Sequence, residues 1–129
     1  MGEILVYLFD TDILIYHFNS EIPEKSKDEI RRILKSHFNI SVISKMEFLG
    51  FRKHSEHSFV KAKIFIDYAR VFQLEEGIVE MVIDLRRNYK IKLPDAIICS
   101  TALLNDFILV TRNTEDYQQT GIKIYNPFE

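Results

Sequence analysis

The sequence predicts an α/β fold, a three-layer α/β/α sandwich around a mostly parallel central sheet of four to five strands. Short apolar runs of strand length alternate with helical patterns from end to end, the first run is unbroken, and no repeat, low-complexity tract or Pro/Gly/Ser-rich linker divides the chain. Strands joined through helices need right-handed crossovers, which leave the strands parallel and cover the sheet on both faces.

Residues 4–9, Ile4-Leu5-Val6-Tyr7-Leu8-Phe9, form a continuous apolar run stopped by Asp10-Thr11-Asp12. This predicts a buried strand with acids at its carboxyl end. Residues 13–18 supply an amphipathic turn or two, and Asp12 is placed to cap it. Pro23 is placed as the first residue of a helix over about 24–37, whose apolar stripe is Ile30, Ile33 and Leu34 against Lys27, Asp28, Arg31, Arg32 and Lys35. A second strand spans 39–43. Ser44-Lys45-Met46-Glu47 then reads as a capping box opening the next helix.

Residues 55–70 repeat apolar positions at helical spacing, Phe59, Ala62, Phe65, Ile66 and Ala69, and 71–74 make a third strand. A helix over 75–89 turns Ile78, Val79, Val82, Ile83 and Leu85 inward. Leu93-Pro94-Asp95 opens a nearly all-apolar helix to about residue 104, a fourth strand covers 107–110, and 122–125 supplies a fifth.

A length of 129 residues with 47% apolar and 28% charged side chains predicts one domain over 1–129. At this size roughly two-thirds of the extended surface is buried on folding, so no disulfide or structural metal is needed. Cys99, the single cysteine, has no intrachain partner and fits a reducing compartment. With no signal-peptide pattern over residues 1–9 and no apolar run of the ~18–20 residues that span a bilayer, a cytoplasmic location and no membrane role are expected. The net charge of −2 neither announces nor excludes a nucleic-acid partner, because carboxylates that hold a metal lower the net charge.

In a parallel sheet, ligands bind beyond the carboxyl ends of the strands. Four segments bring acidic or carboxamide groups there: Asp10 and Asp12, Glu47, Asp95, and the stretch Thr111-Arg112-Asn113-Thr114-Glu115-Asp116. Facing carboxylates repel unless a cation joins them. An all-oxygen set without His or Cys at ligand spacing suits Mg²⁺ or Mn²⁺ and suggests metal-assisted phosphodiester hydrolysis.

Each residue also has a structural reading. Glu47 closes the capping box, Asp95 complements a helix dipole, Asp12 caps, Asn113 holds a turn and Asp116 is surface charge. The basic stretches, Arg52, Lys53, Lys61 and Lys63, and Arg86, Arg87, Lys90 and Lys92, read as solvated faces. His17, His37, His54 and His57 lack ligand spacing, and Cys99 reads as packed.

The segments Phe9-Asp10-Thr11-Asp12-Ile13-Leu14-Ile15, Ser41-Val42-Ile43-Ser44-Lys45-Met46-Glu47-Phe48-Leu49-Gly50, Leu93-Pro94-Asp95-Ala96-Ile97-Ile98 and Leu109-Val110-Thr111-Arg112-Asn113-Thr114-Glu115-Asp116-Tyr117 resemble, in order, the motifs of PIN-domain ribonucleases of the VapC toxin type. The likeness runs over essentially the whole chain and makes it a single PIN-like nuclease domain.

The resemblance implies that Asp10, Glu47 and Asp95 are an acidic triad around Mg²⁺ or Mn²⁺. Asp116 is then the more variable fourth catalytic and metal-binding acid with Asn113 close by, and Thr11 and Thr111 hydrogen-bond around the acids. Asp12 stands where the family often has asparagine. It further implies an endoribonuclease acting on RNA, a toxin held inactive by a cognate antitoxin protein, and a homodimer. Phe48, Phe51, Phe59 and Phe65 are candidates for the antitoxin groove.

The rivals are an RNA-processing nuclease of the same fold without a toxin role, a PIN fold that binds without cutting, and a phosphatase of the haloacid dehalogenase type suggested by the Asp-Thr-Asp triplet. A phosphoacceptor receiver domain is a further rival, but it needs an acceptor Asp after the third strand, where this chain has Gln73-Leu74-Glu75.

Overall fold

The computed structural model describes residues 4–129. Five strands, β1 (Tyr7–Phe9), β2 (Asn39–Ser41), β3 (Arg70–Phe72), β4 (Ile108–Val110) and β5 (Ile124–Tyr125), form one sheet in the order β3-β2-β1-β4-β5. Every pairing is parallel. The helices are α1 (Thr11–Phe18), α2 (Lys27–Ser36), α3 (Val42–Leu49), α4 (Glu56–Ile66), α5 (Glu76–Asn88), α6 (Leu93–Leu104) and α7 (Thr114–Gln118).

Alternation along the strands divides the interior in two. Leu8 and Leu109 point to one face, where Ile78, Val82 and Leu85 of α5, the apolar run of α6, and Tyr117 pack on them. Tyr7, Phe9 and Val110 point to the other, against Ile13 and Leu14 of α1, Ile30 and Ile33 of α2, Phe48 of α3, and Ala62 and Ile66 of α4. The three-layer sandwich is therefore present, with all five strands parallel.

Local punctuation differs from the expected in ways that matter for the site. The first strand begins at Tyr7, and Ile4 and Leu5 are 85% and 46% exposed, because only residues beside β4 have ladder partners. Asp10, not Asp12, caps α1: its side chain accepts from the Thr11 amide. Pro23 precedes a single 3₁₀ turn (Glu24–Ser26), and α2 starts only at Lys27.

The second strand ends at Ser41, whose hydroxyl accepts from the Ile43 amide 3.1 Å away, so α3 begins three residues earlier than the Ser44 capping box required. That box does not form. Ser44 lies inside α3 and is fully buried, and Glu47 sits towards the helix's C-terminal end. The capping box lies instead at Ser55 and Ser58, opening α4, which ends at Ile66 and gives way to β3 at Arg70.

On α5 only Ile78, Val82 and Leu85 are buried. Ile83, expected inward, is 50% exposed because it falls off their stripe at helical spacing. Among the described residues no helix is long and apolar enough to cross a membrane.

Candidate active site

The carboxyl ends of β1 and β4 lie side by side, with Phe9 opposite Val110. The first residues after them meet: the Asp10 amide donates to Val110 O at 2.9 Å, and the Thr111 hydroxyl donates to Asp10 Oδ2 at 2.8 Å. Asp10 Oδ1 accepts from the Thr11 amide, also at 2.8 Å. Both oxygens of a buried carboxylate are thus held by donors, one from each strand end.

The Thr11 hydroxyl donates to Glu47 Oε1 at 2.6 Å and lies 2.9 Å from the buried Ser44 hydroxyl. Ser41 takes the capping role expected of Ser44, while Ser44, three residues on, bonds Thr11 and through it supports Glu47. Across the site, Asp95 in the first turn of α6 accepts from the Tyr117 phenol at 3.2 Å. Asn113 donates its side-chain amide to Asp116 Oδ2 at 2.8 Å and its backbone amide to the Thr111 hydroxyl at 3.0 Å.

All seven sequence-predicted site residues therefore belong to one neighbourhood, drawn from β1–α1, α3, α6 and the β4–α7 connection. Tyr117 is a site residue that sequence reasoning missed. It closes the fourth motif segment without an assigned role; its side chain is fully buried, yet its hydroxyl is turned to Asp95.

Asp12 has a different partner from the one expected. It does not cap α1; its Oδ2 accepts from the Arg112 amide at 3.1 Å, tying α1 to the β4 exit, and its buried Oδ1 has no hydrogen-bond partner among the described residues.

Electrostatics confirms how closely the acids crowd. Burial, and then the charge of Asp12, raises the Asp10 carboxyl to about 7, against the lowering effect of the Thr111 and Thr11 hydrogen bonds; the charge of Asp95 adds to the rise. Asp12 and Asp95 are also raised, first by burial, with Asp95 acting on Asp12 and with Asp116 and Glu47 acting on Asp95. Burial and the neighbouring Asp10 and Asp95 hold the Tyr117 phenol far above its ordinary range, so it stays a donor.

A hard cation placed among these acids would reverse the mutual repulsion that raises them. Among the described residues no three His, Cys, Asp or Glu side chains stand close enough together to chelate one ion directly. A Mg²⁺ ion that keeps much of its water shell is the kind such a spacing suits.

Of the other groups weighed from sequence, Cys99 is fully buried, with its thiol raised by burial. His54 is enclosed by Phe18, Phe48, Phe51 and Phe59, with its ring nitrogens on Phe48 O and the Ser58 hydroxyl. His17 packs on Phe65. Arg52, Lys53, Lys61 and Lys63, and Arg86, Arg87, Lys90 and Lys92, are exposed.

Residues 7–123 match the family model described as PIN domain. Among solved structures, a chain of a toxin–antitoxin complex from Klebsiella pneumoniae is 34% identical, over 95% of this chain and 98% of that one, with a TM-score of 0.74. Chains of DNA-bound VapBC from Salmonella typhimurium and of VapBC-1 from nontypeable Haemophilus influenzae are each 21% identical. Their TM-scores are 0.80 and 0.78. They cover 96% and 97% of this chain and 99% and 100% of their own, a likeness of fold. No curated protein is significantly similar.

Proposed function

The chain belongs to the PIN domain family, and from that membership we propose that it is a Mg²⁺- or Mn²⁺-dependent endoribonuclease and the toxin of a type II toxin–antitoxin pair. The observation that carries the nuclease reading is the convergence of Asp10, Glu47, Asp95 and Asp116 from four chain segments, each oriented by its own donor. Thr111 and the Thr11 amide set Asp10, the Thr11 hydroxyl sets Glu47, Tyr117 sets Asp95 and Asn113 sets Asp116. Residues that merely carried surface charge would not need these five matched donors.

Asp10, Glu47, Asp95 and Asp116 would hold the ion in part through its own waters, since among the described residues no three acids stand close enough together to chelate it directly. When bound, it supplies an acidified water and positive charge for the phosphate oxygens of the transition state. The donors keep the carboxylates aimed, so that little rearrangement is required when RNA arrives. The Asp10 carboxyl is the one most dependent on the ion: near neutral pH, burial and its neighbours leave it partly protonated in the metal-free chain.

The toxin assignment is supported by the 34% identity to a chain of a toxin–antitoxin complex. The cognate antitoxin would rest in the cavity of about 430 Å³ lined by Ile15, Phe18, Phe48, Phe51 and His54. Phe48, at 1% exposed, serves as its floor and not as a free surface. A cytoplasmic homodimer completes this reading.

The decisive experiment incubates RNA with the purified chain in Mg²⁺ or Mn²⁺ and in EDTA. Metal-dependent cleavage is expected, and it is abolished in Asp10→Asn and Asp95→Asn while circular dichroism stays unchanged. Undiminished cleavage by both variants would reject the assignment. Hydrolysis of a phosphomonoester in place of RNA would favour a phosphatase.

A further inference from the structure

A site built from five carboxylates, Asp10, Asp12, Glu47, Asp95 and Asp116, repels the polyanion it is proposed to cut, and the metal alone offsets that at one point. The segment after β4 holds a cation, Arg112, within the acidic stretch itself. Its backbone amide is bonded to Asp12. Its guanidinium donates from Nη1 to the Tyr16 hydroxyl at 3.0 Å and lies over two rings, 4.2 Å from the centroid of Phe128 and 5.3 Å from that of Tyr16. Those two rings pack on each other at 4.8 Å.

Tyr16 follows Asp12 by four residues on α1, so the two share a face about 6 Å apart along the axis. Arg112 is thereby anchored to α1 at both ends, by its backbone amide on Asp12 and its guanidinium on Tyr16. Among the described residues no carboxylate stands at ion-pair distance from it. A guanidinium has five N–H donors in a rigid fork, and the Tyr16 hydroxyl takes one. Both rings lie within cation–π distance of the guanidinium and hold it in place, and the Arg112 side chain remains exposed. A flat, charged, pre-oriented fork with unused donors beside a phosphodiesterase site matches the two non-bridging oxygens of a phosphate.

We propose that Arg112, held on the Tyr16–Phe128 ring pair, is a substrate-binding residue that grips a backbone phosphate of the RNA next to the acidic site. The proposal rests on the nuclease reading above and adds to it the group that seats the strand. Its rival is that Arg112 only pins the C-terminal residues to α1 through the same rings.

Binding of single-stranded RNA to the full chain, in an Asp10→Asn background so that nothing is cut, separates the two across a salt titration. Loss of one phosphate contact lowers the slope of log K against log salt by about 0.7. Arg112→Ala is expected to show that decrease and roughly tenfold weaker binding. With Asp10 restored, it should raise KM while kcat changes less than about twofold. Arg112→Lys keeps the charge without the fork, and should recover the slope but only part of the affinity.

An unchanged slope and affinity in Arg112→Ala, with only a lower melting temperature, overturns the proposal in favour of the structural pin. If the unsubstituted chain neither binds nor cuts RNA, the nuclease reading falls, and this assignment with it. Cleavage by the parent with unaltered salt dependence in Arg112→Ala removes the Arg112 role alone.

Discussion

Replacing Tyr117 by Phe removes one oxygen from a fully buried side chain and leaves the ring that α7 contributes to the core beside α6. Asp95 then loses its donor. Hydrogen bonds to charged groups contribute about 1.5–3 kcal/mol, so Tyr117→Phe should slow RNA cleavage roughly 10- to 100-fold, with a thermal midpoint within a degree or two of the parent; unaltered turnover would make the phenol a bystander. Thr111→Val acts on Asp10 in a definite direction. The Thr111 hydrogen bond lowers that carboxyl's pKa, so without it the rising limb of the metal-dependent pH–rate profile should move to higher pH. Asp10→Asn places a neutral amide where a desolvated carboxylate stood, and the metal-free variant should melt no lower than the parent at pH 8. The acids themselves were legible as candidates, because Asp10 directly follows an apolar strand-length run and Glu47 and Asp116 follow others within about two turns, while Asp95 opens the apolar helix. Tyr117 was not, because it stands in a polar stretch, Thr114-Glu115-Asp116-Tyr117-Gln118, where nothing marks its hydroxyl as turned towards a carboxylate on another helix.

The helix following β2 shows what happens at the level of elements. A Ser-x-x-Glu pattern at Ser44 and an equally good cap at Ser41 compete in the sequence, and propensity does not choose between them. Pairing chooses. Ser41 is the last β2 residue with a partner on β3, opposite Phe72, so the chain leaves the sheet there and α3 starts at Val42. This early start turns Ser44 and Glu47 towards Thr11. Ser41→Ala should therefore cost about 1 kcal/mol of stability in urea titration. Ser44→Ala should affect cleavage more than stability, through a loosened Thr11–Glu47 pair. The reverse pattern would restore Ser44 as the cap. The same competition explains α1, where Asp10, Thr11 and Asp12 all suit a helix start and the backbone bond from Asp10 to Val110 decides.

For the molecule as a whole, the crowded acids set a pH dependence whose sign is determined. The Asp10 carboxyl rises from 3.8 to about 7 on folding, so between these values the folded chain binds more protons than the unfolded one. Stability from this source is fully present below about 3.8 and is lost as pH climbs to about 7. Raised carboxyls at Asp12 and Asp95 act in the same direction. In EDTA the thermal midpoint should fall from pH 5.5 to pH 8. Mg²⁺ or Mn²⁺ should raise it more at pH 8 than at pH 5.5, because ligands bind the ion deprotonated. A metal-independent midpoint at pH 8 would remove the ion from the site.

The sequence by itself determined the layered α/β architecture and offered the acids as candidates, since apolar periodicity and strand-end chemistry are local and survive without knowledge of contacts. Only the tertiary structure decided where each helix begins, which serine caps and which one supports Glu47, that Tyr117 serves Asp95, and that Arg112 is held on Tyr16 and Phe128. Each of these depends on partners far apart in the chain, such as Thr111 on Asp10 at a separation of 101 residues. Strand pairing brings them together, and local propensity carries no information about it.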